Sequence, residues 1–243
     1  MLFKSEVLTQ ASGSIGGVTY SRNRGGMYRR ARAIPTNPNT GFQQQTRTAL
    51  TEAVTFWTSE LTTVQRAAWD LYAANTPVIG VLGDAINLSG QNMYVRSFSA
   101  NSQLLQKLGV GRIADSFDVA PSVFNLGDFI TFGFTADVST GLTIAYDDTI
   151  DWVTEDGAFM HVFMSRPQNP SVNYYNGPWR LTAAIAGDLG TPPTSPQVIA
   201  PAAIATNGYP FVADQNVWIK LRVSRPDNRL TTERVFGPVL SVA

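Results

Sequence analysis

The chain is 243 residues long with 18 basic and 18 acidic side chains, so it has no formal net charge and only 15% of it is charged, against about 25% in an ordinary globular domain. It has no cysteine and a single histidine, His161, which excludes disulfides, thiolate chemistry, cysteine-based zinc sites and every motif that needs two histidines. No run approaches the roughly 18 apolar residues of a membrane span, and the opening MLFKSEVLTQ lacks the apolar core of a signal peptide, so neither membrane insertion nor secretion under its own signal is expected. Ser, Thr, Asn and Gln together number 66. Neutral polar groups thus take the place that charges usually hold, which favours a β-rich, loop-rich extracellular or particle-like surface over a cytosolic metabolic enzyme.

The charge is unevenly spread. Residues 1–50 hold seven bases against one acid, residues 51–116 four against five, and residues 117–243 seven against twelve. A basic opening on an otherwise acidic chain marks an interaction tail. Within it, SGSIGGVTYSRNRGGMYRRARAIPTNPNTG is rich in Gly, Arg, Asn and Pro and shows no sustained period, so residues 1–40 read as an extended arm too poor in apolar surface to offset its own ordering entropy. Its isolated anchors Ile15, Val18, Tyr20, Met27 and Tyr28, with Arg22, Arg24, Arg29, Arg30 and Arg32, predict that the arm becomes ordered against a neighbouring molecule. Guanidinium groups there suit carboxylates and carbonyls of a protein. Phosphates are the second choice of partner, since the rest of the chain is acidic and carries no groove-reading module.

From residue 41 to about 116 the period is helical. Leu50, Val54, Trp57 and Leu61 form the stripe of a first helix, Ala68, Leu71 and Tyr72 that of a second, and Tyr94, Phe98, Asn101, Leu105 and Leu108 that of a third. Thr62 with Gln65 predicts a capping box, Asn75-Thr76-Pro77 a stop, and Gly109 a helix end. Gly109-Val110-Gly111-Arg112-Ile113-Ala114 fits a dinucleotide fingerprint only superficially, because it ends a helix and leads into a β region. Residues 117–243 then show period two in Ile130, Phe132 and Phe134, in Leu142, Ile144 and Tyr146, and in Val217 to Val223, while Ala158 to Met164 is apolar on both faces. Seven or eight short strands separated by Pro and Gly turns predict an antiparallel β-sandwich. The segments HVFMSRPQN (161–169) and KLRVSRPDN (220–228) echo each other, and are read as two strands ending at similar turns. The expected fold class is therefore α+β: an extended N-terminal arm (1–40), a small helical region (41–116) and a C-terminal antiparallel β-sandwich (117–243).

No catalytic, cofactor-binding or metal-binding residue is expected. His161 lies among Phe159, Met160, Val162, Phe163 and Met164 and reads as a hydrogen-bonded core histidine, because no nucleophile-elbow serine accompanies it. Asp147, Asp148, Asp151, Glu155 and Asp156 supply hard oxygen donors but not EF-hand spacing, so they read as solvated loop carboxylates. Trp152, Tyr174, Tyr175 and Trp179 are candidate stacking platforms if exposed in loops, which leaves a carbohydrate- or cell-surface-binding module as the alternative function.

The runs SGSIGGVTYSRNRGGMYRR, PTNPNTGFQQQTR, LTTVQRAAWDLYA and LSGQNMYVR resemble the N-terminal region of phage and prophage structural proteins. Ser12 to Gly17, Asn37 to Thr40, Gln43 to Arg47, Leu61 to Trp69 and Ser89 to Tyr94 carry the pattern. The C-terminal part is similar to fibronectin type III or immunoglobulin-like domains, most clearly at VWIKLRVSRPDNRLTTERVFGPVLSV. The resemblance implies a non-enzymatic structural component of a bacteriophage virion, capsid-associated, decorating, or at the head–tail junction or tail. Its partners would be other virion proteins and copies of itself, with no membrane, no small-molecule substrate and no cofactor. A DNA-contacting protein of the virion interior is a further alternative.

Overall fold

A computed structural model describes residues 12–80, 83–109 and 132–242. The class is α+β, with four α-helices and twelve strands in antiparallel sheets among those residues. Two compact units meet in sequence at Gly41 and Phe42.

In the first unit, where the sequence reads as an extended arm without a sustained period, residues 13–31 pair into strands. Strands β1 (Gly13–Ile15), β2 (Val18–Asn23) and β3 (Gly26–Ala31) form an antiparallel meander. Both turns are two residues long, Gly16-Gly17 and Arg24-Gly25, the length that favours left-handed turn residues. Gly16 supplies one at φ +57°, and the Asn23 side chain accepts from the Gly25 N–H at 2.9 Å. Period two is present after all, as Val18, Tyr20 and Arg22 and then Met27, Arg29 and Ala31. It escapes notice because arginines occupy some of the alternating positions.

In the second unit, α1 (Gly41–Thr55) runs into a π-helical turn at Phe56–Glu60, α2 spans Thr63–Asn75, the short antiparallel pair β4 (Val78–Ile79) and β5 (Ala85–Ile86) follows, and α3 spans Gly90–Leu108. The predicted stripe of α1 is displaced by one residue: Ala49 and Ala53 are buried, whereas Leu50 and Val54 are exposed. The extra residue of the π turn then brings Leu61 into the phase of Ala49 and Ala53, closed by the Leu61 N–H on the Phe56 carbonyl at 3.0 Å. On α2, Trp69 is fully buried and Leu71 is exposed, and on α3 Leu104 is buried in place of Leu105. The capping box forms as expected, with the Thr62 N–H donating to Gln65 at 2.8 Å and the Gln65 N–H to Thr62 at 3.3 Å. Gly109 ends α3 in the left-handed conformation, φ +66°. Gly111 to Ala114 and the predicted boundary near Asp115 lie outside the described residues.

Residues 132–242 contribute seven strands: β6 (Phe132–Asp137), β7 (Gly141–Tyr146), β8 (Phe159–Met164), β9 (Arg180–Ala186), β10 (Gln197–Ile199), β11 (Asn216–Ser224) and β12 (Arg234–Leu240). The short helix α4 (Pro201–Asn207) lies between β10 and β11. The strands form two sheets, ordered β10-β7-β6 and β12-β11-β8-β9. One hydrophobic cluster draws on both: Leu142, Ile144 and Tyr146 from the first, and Met160, Val162, Met164, Ile219, Leu221 and Val223 from the second. The opposite face of the larger sheet is also covered, since Phe163 and Leu181 form a cluster with Leu104 of α3. Tyr72 donates to the Leu230 carbonyl at 3.2 Å and Asn101 to Asn228 at 2.5 Å. Strand β11, which reads in sequence as half-buried, is therefore covered on both faces. The echoed segments turn out to be β8 and β11, neighbours paired about Val162 and Leu221, so a local two-fold relation joins them.

Helices α2 and α3 meet where a Cβ added to Gly90 would lie 2.3 Å from Asp70 Oδ1 and 2.6 Å from the Asp70 backbone nitrogen. The Gly90 N–H donates to that carboxylate at 3.1 Å. Gly90→Ala is expected to cost about 1–3 kcal/mol by overpacking this seam, read as a lower urea midpoint at unchanged slope. A variant as stable as the parent would contradict so close an approach.

Candidate functional site

The register of the meander settles which of its side chains share a face. Directly opposed residues lie on the same side of a sheet, so the pairs Ile15–Val18, Val18–Ala31, Tyr20–Arg29 and Arg22–Met27 put Ile15, Val18, Tyr20 and Met27 on one face with Arg22 and Arg29. Tyr28 and Arg30 lie on the other face, with Ser14, Thr19 and Ser21, where Ser14 and Thr19 hydroxyls bond at 2.8 Å. Arg24 sits in the second turn, and Arg32 follows β3 with its backbone N–H on the Gly17 carbonyl at 2.9 Å. The ten predicted assembly residues are thus brought into one small sheet but not onto one surface. None of them is buried, and Ile15 is 79% exposed. One face of the sheet therefore carries four apolar side chains, of which Ile15 is exposed and Val18, Tyr20 and Met27 are half-buried, together with two guanidinium groups.

The C-terminal candidates have structural partners. His161 is fully buried, with Nε2 2.9 Å from Ser224 Oγ and no partner for Nδ1 among the described residues. It faces Arg222 across the β8–β11 ladder. Arg222 sits 5.0 Å over the Phe163 ring and 3.1 Å from Glu233, which also holds Lys220 at 3.0 Å. Burial pushes the Arg222 guanidinium down to about 10 against the opposing pull of Glu233. For Glu233, burial would raise the carboxyl, but the hydrogen bond and charge of Lys220 and the charge of Arg222 outweigh it and leave the net shift downward. One carboxylate thus serves two cations, a cluster not legible in the sequence because Glu233 meets Lys220 and Arg222 only through the β11–β12 connection.

The acidic loop is likewise engaged with protein. Arg225 binds Asp151 through two oxygens, at 2.9 and 2.7 Å, and reaches Glu155 at 2.7 Å. Asp147 accepts from Thr149, Asp148 from the Ser195 N–H and Asp156 from the Leu189 N–H. Among the described residues no group of three or more His, Asp or Glu side chains is arranged to hold a metal. The ring platforms divide: Trp152 is buried against Tyr146 at 5.6 Å, Tyr175 stacks on Trp218 at 5.6 Å and meets Trp179 edge-on at 5.1 Å, and only Tyr174 is fully exposed. Trp152 is therefore a core residue rather than a surface platform.

The helical motifs that carry the phage resemblance also have structural roles. Leu61 is buried, Thr62 and Gln65 cap α2, Arg66 donates to the Leu61 carbonyl at 2.7 Å and to Thr58 at 3.2 Å, and Trp69 packs edge-on to Tyr94 at 5.3 Å. Ser89 caps α3 and Gly90 admits Asp70. Among the described residues, no helix is long and apolar enough to cross a membrane. No protein-family model, no curated protein and no solved structure matches the chain.

Burial first, and the charge of Arg222 second, hold the His161 imidazole well below its ordinary pKa. The unfolded chain binds a proton there near pH 6.5 and the folded chain does not, so this contribution to stability is complete above that pH. It is lost as pH falls below it, by up to about 1.4 kcal/mol per pH unit. Urea denaturation is expected to show wild type losing more stability between about pH 7 and 5 than His161→Gln. Parallel pH profiles would show that His161 is not held neutral.

Proposed function

We propose that the chain is a non-enzymatic structural component of a bacteriophage virion, and that its N-terminal meander is the element through which it joins other virion proteins and copies of itself. The observation that carries this reading is the meander itself: residues 13–31 form complete strand pairings yet none of their side chains is fully buried, Val18, Tyr20, Met27 and Tyr28 being half-buried and Ile15 exposed. A sheet of this size needs a covered apolar face to be stable. In the reading offered here, a neighbouring subunit completes that cover, with Ile15, Val18 and Met27 lying against it while Arg22 meets acceptor groups at its edge.

The resemblance of Ser12 to Gly17, Leu61 to Trp69 and Ser89 to Tyr94 to phage structural proteins supports the virion location. A neutral-polar surface and the absence of cysteine agree with a particle protein. The two C-terminal sheets, with one cluster drawn from both, support reading residues 132–242 as an immunoglobulin- or fibronectin-like sandwich. Division of the arginines between both faces and a turn favours a protein partner over DNA, which is bound best by a row of cations on one surface.

Removal of residues 1–35 is expected to leave a soluble remainder that melts cooperatively but is absent from particles assembled with it in place of the full chain. Val18→Asp together with Tyr20→Asp should give the same loss of incorporation with no change in the melting of residues 42–242. Normal incorporation of either variant would refute assembly through the meander.

A further inference from the structure

The second unit holds a cavity of about 580 Å³, to which the proposed assembly assigns no role. Its volume lies in the range of ligand sites, about 300–1,000 Å³. It is built where α1, the last turns of α3, the start of β9 and the end of α4 converge. No Asp or Glu lines it, although the acidic residues outnumber the basic ones over residues 117–243.

Two cations do line it. Lys107 Nζ donates to the backbone carbonyls of Leu181 and, at 2.8 Å, Asn207, and Arg180 donates to the Gly208 carbonyl at 3.0 Å with its guanidinium 4.1 Å over Tyr209. Neither has a carboxylate partner among the described residues, in contrast to Lys220, Arg222, Arg225 and Arg229, which all do. Lys107 is displaced from its ordinary pKa downward by burial and by the neighbouring charge of Arg180. A half-buried lysine beside an exposed arginine, neither with a carboxylate partner among the described residues, is an arrangement that an anion relieves.

The other lining groups narrow the class of anion. The amides of Gln45, Gln103 and Gln106 offer both donors and acceptors, as a polyhydroxylated ligand requires. Trp179 adds an aromatic surface, which suits the apolar C–H face of a sugar ring and gives a phosphate ion nothing. We propose that this cavity is a binding site for an acidic saccharide, with the sugar carboxylate at Lys107 and Arg180, the hydroxyls on the glutamine amides and the ring against Trp179. This site lies on the helix-covered side of the larger sheet, away from Tyr174 in its loop, and does not depend on the virion reading.

The test is isothermal titration of the full chain with digalacturonate, a hyaluronan disaccharide and sialyllactose, beside cellobiose and inorganic phosphate. At least one acidic saccharide is expected to bind about tenfold or more tighter than cellobiose, since a charge-assisted hydrogen bond is being compared with a neutral one. Phosphate should not compete at equal concentration. Lys107→Gln should weaken binding by about tenfold or more with the thermal transition retained. Should that variant fail to fold, Arg180→Gln and Gln103→Ala, both at exposed positions, decide in its place, and unchanged affinity in the two would overturn the site. Absence of binding to all three acidic saccharides at millimolar concentration, equal affinity for cellobiose, or equal affinity for phosphate would each overturn it as well.

Discussion

Ordering a residue's backbone costs about 1–2 kcal/mol, and complete burial of an aliphatic side chain contributes about 1.5–3 kcal/mol. Residues 13–31 bear the first cost at every position of three paired strands and have only part of the second, because Val18, Tyr20 and Met27 are half-buried and Ile15 is exposed. The rest of the chain shows the opposite balance. Strands β8 and β11 are buried on both sides, by the cluster shared with the smaller sheet and, on the other face, by Leu104 of α3 at Phe163 of β8 and by Tyr175 at Trp218 of β11, and the six rings of Phe56, Trp57, Trp69, Tyr72, Tyr94 and Phe98 interlock at centroid distances of 5.3 to 5.9 Å. The contrast between a well-buried body and a sheet whose described residues are at most half-buried is what the proposed partner accounts for.

The same contrast separates fold-bearing residues from contact-bearing ones. The motif residues Leu61, Thr62, Gln65, Arg66, Trp69, Ser89, Gly90 and Tyr94 are all used in capping, closing the π turn or packing α2 on α3. Their recurrence in a pattern therefore speaks for the helical region's shape. Strand pairing, the turns and the Ser14–Thr19 hydroxyl pair are the contacts within the meander, and the proposed contact function is placed there. The buried Arg222, with Glu233 beside it and His161 opposite, is in turn a solution to covering both faces of a sheet whose strand β11 carries Lys220 and Arg222. Once the helices cover that face, its charges need a local counter-ion, and Glu233 is placed to be one.

Much of this was legible in sequence. The capping box, the Gly109 stop, the three helices, the two-fold alternation of β6, β7 and β11 and the core position of His161 all follow from local chemistry, and the structure has them. The inner face of α1 did not, because the π turn shifts the helical phase by one residue and Ala49 and Ala53 are too small to draw notice beside Leu50 and Val54. The strands of the meander were signalled by Gly16-Gly17 and Arg24-Gly25, two-residue hairpin turns flanked by alternation, but the arginines masked the period. The cavity could not be read at all. Gln45, Lys107, Arg180 and Asn207 converge only through long-range packing, for which a single sequence carries no local mark.

Hydrogen exchange on residues 18–31 measures most directly whether the meander depends on a neighbour. In the isolated protomer the amides that pair β2 with β3 are expected to exchange close to the rate of an unstructured chain while those of β8 and β11 are slow, and in assembled particles the meander amides should become protected to a comparable degree. Strong protection of Val18 to Ala31 in the isolated protomer, undiminished on dilution, would contradict the account, since the sheet would then be holding itself together without a partner.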